Sequence, residues 1–149
     1  MGANVTSFVI PAYNEQALLP RTLSALNRAA TETGEAFEVV VVDDASTDGT
    51  AAVAREHGAN VISANCRQIA AARNAGAAMA VGEFLIFVDA DTVVTPDAIC
   101  AAVAAMRAGA AGGGCAFRFD RPVPLYGWVM EALGTRAYRV AAKLDMKPT

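Results

Sequence analysis

The sequence predicts an α/β fold, a mostly parallel sheet with helices on both faces. Three observations carry that expectation. Short β-branched runs alternate with alanine-rich amphipathic segments throughout the 149 residues. Two of the runs, residues 37–42 and 84–88, are almost unbroken in their apolar character, as suits strands covered on both faces. Glycines and capping residues punctuate the alternation at Gly34, Gly58, Gly82 and Thr95-Pro96-Asp97.

Ser7-Phe8-Val9-Ile10 reads as the first strand. The following helix has Pro20 in its first turn, where a missing N–H is tolerated. Leu19, Leu23, Leu26 and Ala30 share one face of it, and Gly34 ends it. Residues 37–42 form the second strand. Thr47 or Asp48 caps the next helix, which stops near Gly58. Val61-Ile62 is a short third strand, and a helix spans about residues 67–80. Residues 84–88 form the fourth strand. Thr95, Pro96 and Asp97 supply an N-cap, a first helical residue and a first-turn acid for a helix reaching about Ala108. Gly112-Gly113-Gly114 precedes a fifth strand at residues 115–119, and a last helix covers about residues 125–143. The length suits one domain, residues 1–149.

Composition excludes several classes of function. The net charge is -3, the pI is near 5.1, and no basic run occurs, so nucleic acid is not an expected partner. The mean hydropathy of +0.33 owes much to alanine, and no apolar run approaches the roughly 18 residues of a membrane span. Cys66, Cys100 and Cys115 are too few and too scattered for a disulfide framework or a C-x-x-C site. No charged-then-apolar leader precedes the first strand. A reduced cytoplasmic location is therefore expected. Residues 1–6 match the loose N-myristoylation pattern, which is read as coincidence.

In parallel α/β sheets, ligands bind beyond the carboxyl ends of the strands. Three loops fall there. Pro11-Ala12-Tyr13-Asn14-Glu15 follows strand one, Asp43-Asp44-Ala45-Ser46-Thr47-Asp48-Gly49 follows strand two, and Asp89-Ala90-Asp91 follows strand four. Together they place five aspartates, a glutamate and an aromatic ring on one rim. Bunched carboxylates resist ionising together without a cation. Mg²⁺ takes one or two carboxylates and completes its shell with water and phosphate oxygens. The Asp89/Asp91 pair is read as metal-binding, whereas Asp48 and Asp97 are read as solvated or capping acids. Asp44 suits a base edge, Tyr13 offers a stacking face, and Arg73 balances the acidic rim or meets a phosphate. His57 reads as a helix-end cation without a catalytic role.

Four segments then speak together. Residues 7–15 (SFVIPAYNE), residues 42–50 (VDDASTDGT), Ala72-Arg73-Asn74-Ala75-Gly76 and Phe87-Val88-Asp89-Ala90-Asp91 closely resemble glycosyltransferase family 2 in both order and spacing. Residues 112–121 resemble a subgroup of it. The resemblance implies a GT-A fold, a Rossmann-like nucleotide-binding sheet joined to an acceptor-binding half that is truncated or absent in this chain. It implies that Pro11, Ala12, Tyr13 and Glu15 line a nucleoside pocket and that Asp44 contacts the base. By the same resemblance Arg73 lies near the nucleotide, Asp89 and Ala90 face the ribose or sugar, and Asp91, with Asp89, holds Mg²⁺ or Mn²⁺ on the diphosphate. The implied reaction is inverting transfer from a nucleoside diphosphate sugar to a sugar or lipid-linked acceptor.

One departure stands out. The family's general base lies in the acceptor half, and only 58 residues follow Asp91 here. Asp120, Glu131 and Asp145 are the candidates among them, and none sits in a recognisable base motif. The chain is therefore read as a fragment of a longer enzyme or as a short relative that binds donor without transferring it. A non-catalytic nucleotide-binding module is the alternative. A haloacid dehalogenase-type phosphatase is a lesser one, because residues 87–93 resemble its D-x-D-x-T/V strand while the tail after Asp91 offers little to fill the roles of the Ser/Thr, Lys and further acids that family needs. No G-x-G-x-x-G follows strand one, which argues against a dinucleotide site. The helix at residues 125–143 mixes Trp128, Met130, Leu133, Tyr138 and Val140 with Arg136, Arg139 and Lys143. It is read first as a packing helix, with membrane-surface contact and self-association as the alternatives.

Overall fold

The computed structural model describes residues 5–115. The chain divides into Met1–Ala108 and Gly109–Thr149, and every element below belongs to the first unit. Of the second, only residues 109–115 are described, without a strand. Residues 116–119 of the expected fifth strand, the helix at 125–143, Asp120, Glu131 and Asp145 lie outside the described residues, as does the segment resembling a family subgroup beyond Cys115.

Four strands alternate with four helices: β1 (Thr6–Ala12), α1 (Leu19–Thr33), β2 (Phe37–Asp44), α2 (Thr50–Glu56), β3 (Asn60–Ala64), α3 (Ile69–Met79), β4 (Phe84–Phe87) and α4 (Pro96–Arg107). The sheet order is β3-β2-β1-β4, and every pairing is parallel. The order reverses between β1 and β4, so the carboxyl ends of those two strands border the crevice where such sheets take ligands.

Strand alternation sorts the core into two layers. Phe8, Ile10 and Ala12 of β1 pair in register with Val39, Val41 and Asp43, and their apolar members pack with α1 and α4 on one face. Leu19, Leu23, Leu26 and Ala30 of α1 are all buried there, as their spacing predicts. Burying each such leucine contributes about 1.5–3 kcal/mol. Val9, Val40 and Val42 point the other way and meet Ala72 of α3. Gly76, one turn along α3, lets the helix lie close: a Cβ there would strike Val9 and come within 2.8 Å of Val42 Cγ2.

Two details depart from the sequence reading. The third helix begins at Ile69, with Gln68 as N-cap, rather than at Arg67. Arg67 has φ 50°, and a left-handed residue cannot belong to a right-handed helix. The fourth strand is apolar on both faces but not covered on both. Ile86 joins the α1/α4 layer, whereas Leu85 and Phe87 are 38% and 44% exposed. Among the described residues, α3 lies over β1, β2 and β3, one strand away.

The end of α1 and the start of α4 match their signals. Gly34 closes α1 at φ 70° and donates its N–H to Thr31. Thr95 Oγ1 accepts from Ala98 N at the start of α4. Glu35 then takes a bidentate pair of hydrogen bonds from Arg107, at 2.8 and 2.9 Å, fastening α4 beside the end of α1. No helix among the described residues is long and apolar enough to cross a membrane.

Candidate donor-nucleotide site

The site begins with a proline in a strand. Val88 N donates to Val9 O, so the backbone of Val9 faces β4. Pro11, two residues on, faces the same way, but the β1–β4 ladder has already ended at Val9 and Phe87. The missing N–H therefore costs no ladder bond. The two strands part there, and the loop after β1 and the loop after β4 flank the opening.

The loops after β1 and β2 are laced together. Asn14, at φ 55°, accepts from Thr47 N at 2.8 Å through its side chain and donates its own N–H to Ser46 Oγ. Glu15 N donates to Thr50 Oγ1 at 2.8 Å, and Gly49 N donates to Gln16 Oε1 at 2.8 Å. Asp48 accepts from Gln16 N, Thr50 N and Thr50 Oγ1, so it serves as a loop and helix-start acceptor. The N-cap of α2 is Gly49, without a side-chain cap bond, so neither Thr47 nor Asp48 occupies the expected cap position; Asp48 holds the first turn from one residue before it. Asp43 Oδ1 accepts from Ser46 N in a local turn. His57 donates from Nδ1 to Val53 O at the end of α2, in keeping with a helix-end role.

The Asp89-Ala90-Asp91 segment is a tight turn closed by Thr92 N donating to Asp89 O at 3.0 Å. The buried Ala90 side chain belongs to the core, and its carbonyl accepts from Thr22 Oγ1 of α1 at 2.7 Å. With Ala90 pinned inward, Asp89 and Asp91 stand exposed on either side. Their surroundings differ. Asp89 Oδ1 accepts from Arg73 of α3 at 2.6 Å. Asp91 lies on the Glu15 side, where partial burial and then the charges of Asp91 and Asp48 hold the Glu15 carboxyl above its ordinary range. Arg73 Nε is buried without a hydrogen-bond partner.

Asp44, at the end of β2, is 6% exposed and accepts from Cys66 N at 2.5 Å, which draws the loop after β3 to the site. The next residue, Arg67, lays its guanidinium 4.6 Å from the centroid of the Tyr13 ring. Tyr13 itself is exposed. The structure thus brings Tyr13, Glu15, Asp44, Arg73, Asp89 and Asp91 to one rim. Ala12 and Ala90 contribute backbone there, since both side chains are in the core. Thr22, Asn14, Cys66 and Arg67 are neighbours that sequence reasoning passed over. Thr22 carried a signal, a polar residue set on the otherwise apolar stripe of α1, whereas nothing in the local sequence marks Arg67.

Among the described residues, no three His, Cys, Asp or Glu side chains group closely enough to hold a metal ion by themselves. The donor set suits instead a hard cation that takes few protein oxygens and shares its shell with phosphate. The crowding of Glu15 with Asp91 and Asp48 is the unfavourable charge density that such a cation relieves.

A four-stranded parallel sheet whose order reverses between β1 and β4 defines a Rossmann-like α/β protein. The glycosyl transferase family 2 model matches residues 7–144, and the chain belongs to that family. Validoxylamine A glucosyltransferase of Streptomyces hygroscopicus subsp. limoneus is 40% identical over 124 residues, covering 76% of this chain and 27% of that protein. An undecaprenyl-phosphate 4-deoxy-4-formamido-L-arabinose transferase of Pseudomonas aeruginosa is 39% identical over 104 residues, covering 64% and 30%. The chain spans less than a third of the length of these curated relatives. S. aureus TarS 1-349 in complex with UDP-GlcNAc aligns with a TM-score of 0.61 and 28% identity, over 80% of this chain and 36% of that one. The mannosyltransferase PcManGT of Pyrobaculum calidifontis, in complex with GDP-Man and Mn²⁺, aligns with a TM-score of 0.59 and 30% identity, over 66% and 31%. These likenesses bear out the GT-A fold, and family membership displaces the phosphatase reading.

Proposed function

We propose that the protein binds a nucleoside diphosphate sugar at this rim, with Mg²⁺ or Mn²⁺, for inverting transfer of the sugar to an acceptor. The observation that carries the reading is the gathering of Glu15, Asp91 and the Arg73–Asp89 ion pair at the carboxyl ends of the strands. Asp89 is steered by Arg73, and Asp91 is left beside Glu15 at the mouth of the crevice. Asp91 is the carboxylate that would hold the cation, with Asp89 adjoining it toward the ribose and sugar. A bound cation would neutralise charge building on the leaving diphosphate. The chain's own residues do the rest of the binding. Pro11, Ala12, Tyr13 and Glu15 border the nucleoside, Asp44 accepts from the base edge, and Arg73 supplies a fixed positive charge beside the diphosphate. The names of the aligned structures, one with UDP-GlcNAc and one with GDP-Man and Mn²⁺, support the donor class and the metal.

Inversion requires a base on the acceptor side, and no residue among those described is assigned that role. The acceptor is proposed to be a sugar or a lipid-linked group. An undecaprenyl-phosphate transferase among the relatives supports the lipid-linked case and a cytoplasmic, membrane-peripheral setting. The alternative reading is a module that binds the donor without transferring the sugar. Release of UDP or GDP from a panel of sugar nucleotides, in Mn²⁺ and in EDTA, separates the two. Metal-dependent release supports the enzyme, binding without release supports the module, and neither binding nor release overturns the nucleotide reading.

A further inference from the structure

Helix α1 touches both sides of the proposed cation site. The β1–β4 ladder ends at Val9 and Phe87, with Val88 N donating to Val9 O just beyond. Strand pairing therefore does not fix where the turn after β4 stands relative to Glu15. At the start of α1, the Glu15 carbonyl accepts from Leu18 N at 3.1 Å and from Leu19 N at 2.9 Å. Three residues into the helix, Thr22 Oγ1 donates to the Ala90 carbonyl at 2.7 Å. From Leu19 to Thr22 the helix is a stiff spacer about 4.5 Å long. The loop after β1 and the turn after β4 thus share one rigid support. Packing alone does not account for the threonine. It is 1% exposed, on the apolar face that carries Leu19, Leu23 and Leu26. Valine has the same shape and would bury no hydroxyl. What threonine adds is a donor for the carbonyl that lies between the two acids.

We propose that Thr22 positions Asp91 for the cation. This rests on the donor-binding reading above and adds to it a residue that acts through another. The Ala90 side chain is fixed in the core, and Thr92 N closes the turn on the Asp89 carbonyl. The remaining freedom is rotation of the peptide between Ala90 and Asp91, which carries Asp91 with it. The Thr22 hydroxyl holds the oxygen of that peptide and so keeps the Asp91 side chain on the Glu15 side. Without the hydroxyl, the carbonyl loses this partner and gains by turning toward water. Asp91 then leaves the mouth of the crevice, and the rim holds a cation less well. The hydroxyl itself is buried, so it works through Asp91 and not on the ligand.

The test is calorimetric titration of UDP and GDP into the full chain, in EDTA and over a series of Mn²⁺ concentrations, for the wild type, Thr22→Val and Thr22→Ser. Thermal melts accompany it. The quantity read is the Mn²⁺ concentration at which nucleotide affinity is half-maximal. Thr22→Val is expected to raise it about tenfold, the low end of what losing an outer hydrogen bond does to a metal site, with affinity in EDTA unchanged. Thr22→Ser keeps the hydroxyl and loses a packed methyl, so it is expected to melt lower yet keep the wild-type Mn²⁺ response. A threonine that serves stability alone would lower the melting temperature in both variants and leave the Mn²⁺ response where it was. A wild-type response in Thr22→Val, or a response in Thr22→Ser as weak as in Thr22→Val, overturns the role of Thr22 while the donor reading stands. If Thr22→Val does not fold, Thr22→Ser decides alone: a kept response at a lower melting temperature supports the role, and a weakened response overturns it. A wild type that binds neither nucleotide overturns the donor reading, one that binds with no help from Mn²⁺ overturns its cation, and the role of Thr22 falls with either.

Discussion

Single side chains at the rim are set by what their neighbours do to their charge. Glu15 is held above the ordinary carboxyl range, first by partial burial and then by the charges of Asp91 and Asp48. The folded chain therefore binds that proton more tightly than the unfolded chain does. Its contribution to stability is complete below the unfolded value of 4.5 and is lost as pH rises through the raised folded value. Asp48 runs the other way. Hydrogen bonds from Thr50 hold it below 3.8, so its contribution is present above that value and is lost as pH falls through the lower one. Glu15→Gln isolates the first effect. Between about pH 4 and about pH 7, the melting temperature of Glu15→Gln is expected to rise relative to the wild type. A pH-independent gap between the two proteins in thermal melts counts against the electrostatic crowding described here.

At the scale of elements, the distance between α3 and the sheet fixes where Arg73 meets Asp89. Ala72 and Gly76 are small, one turn apart, and buried against Val9, Val40 and Val42. Gly76→Ala gains helix propensity but drives a methyl into two valines. It is expected to destabilise the chain by about 1–3 kcal/mol, measured by urea denaturation. An unchanged midpoint would mean that the helix has room to move. Much at this scale was legible in the sequence. The stripe of Leu19, Leu23, Leu26 and Ala30, the stop at Gly34 and the Thr95-Pro96-Asp97 start each depend on local chemistry, and each appears where expected. The start of α3 was not legible, because the left-handed turn at Arg67 answers to Tyr13 and Asp44, which are distant in sequence. Nor was the exposure of Leu85 and Phe87, since an apolar pattern shows which faces want cover and not which element supplies it.

For the molecule as a whole, one sheet and three loops gather the residues that carry chemistry. Parallel strands put all three loops on one rim, and that much follows from strand–helix alternation alone. Which acid faces which partner does not follow. Asp89 and Asp91 are two apart in sequence, yet one meets Arg73 and the other stands by Glu15, because Thr22 pins the residue between them. Four motifs in register carried the family, and the match over residues 7–144 agrees with them. The most direct test of the account is calorimetric titration of UDP and GDP into the wild type and Asp91→Ala, each with Mn²⁺ and with EDTA. The wild type should bind one or both nucleotides in a Mn²⁺-dependent way, and Asp91→Ala should lose that dependence. Equal Mn²⁺-dependent binding by Asp91→Ala would contradict the placement of the cation at Asp91.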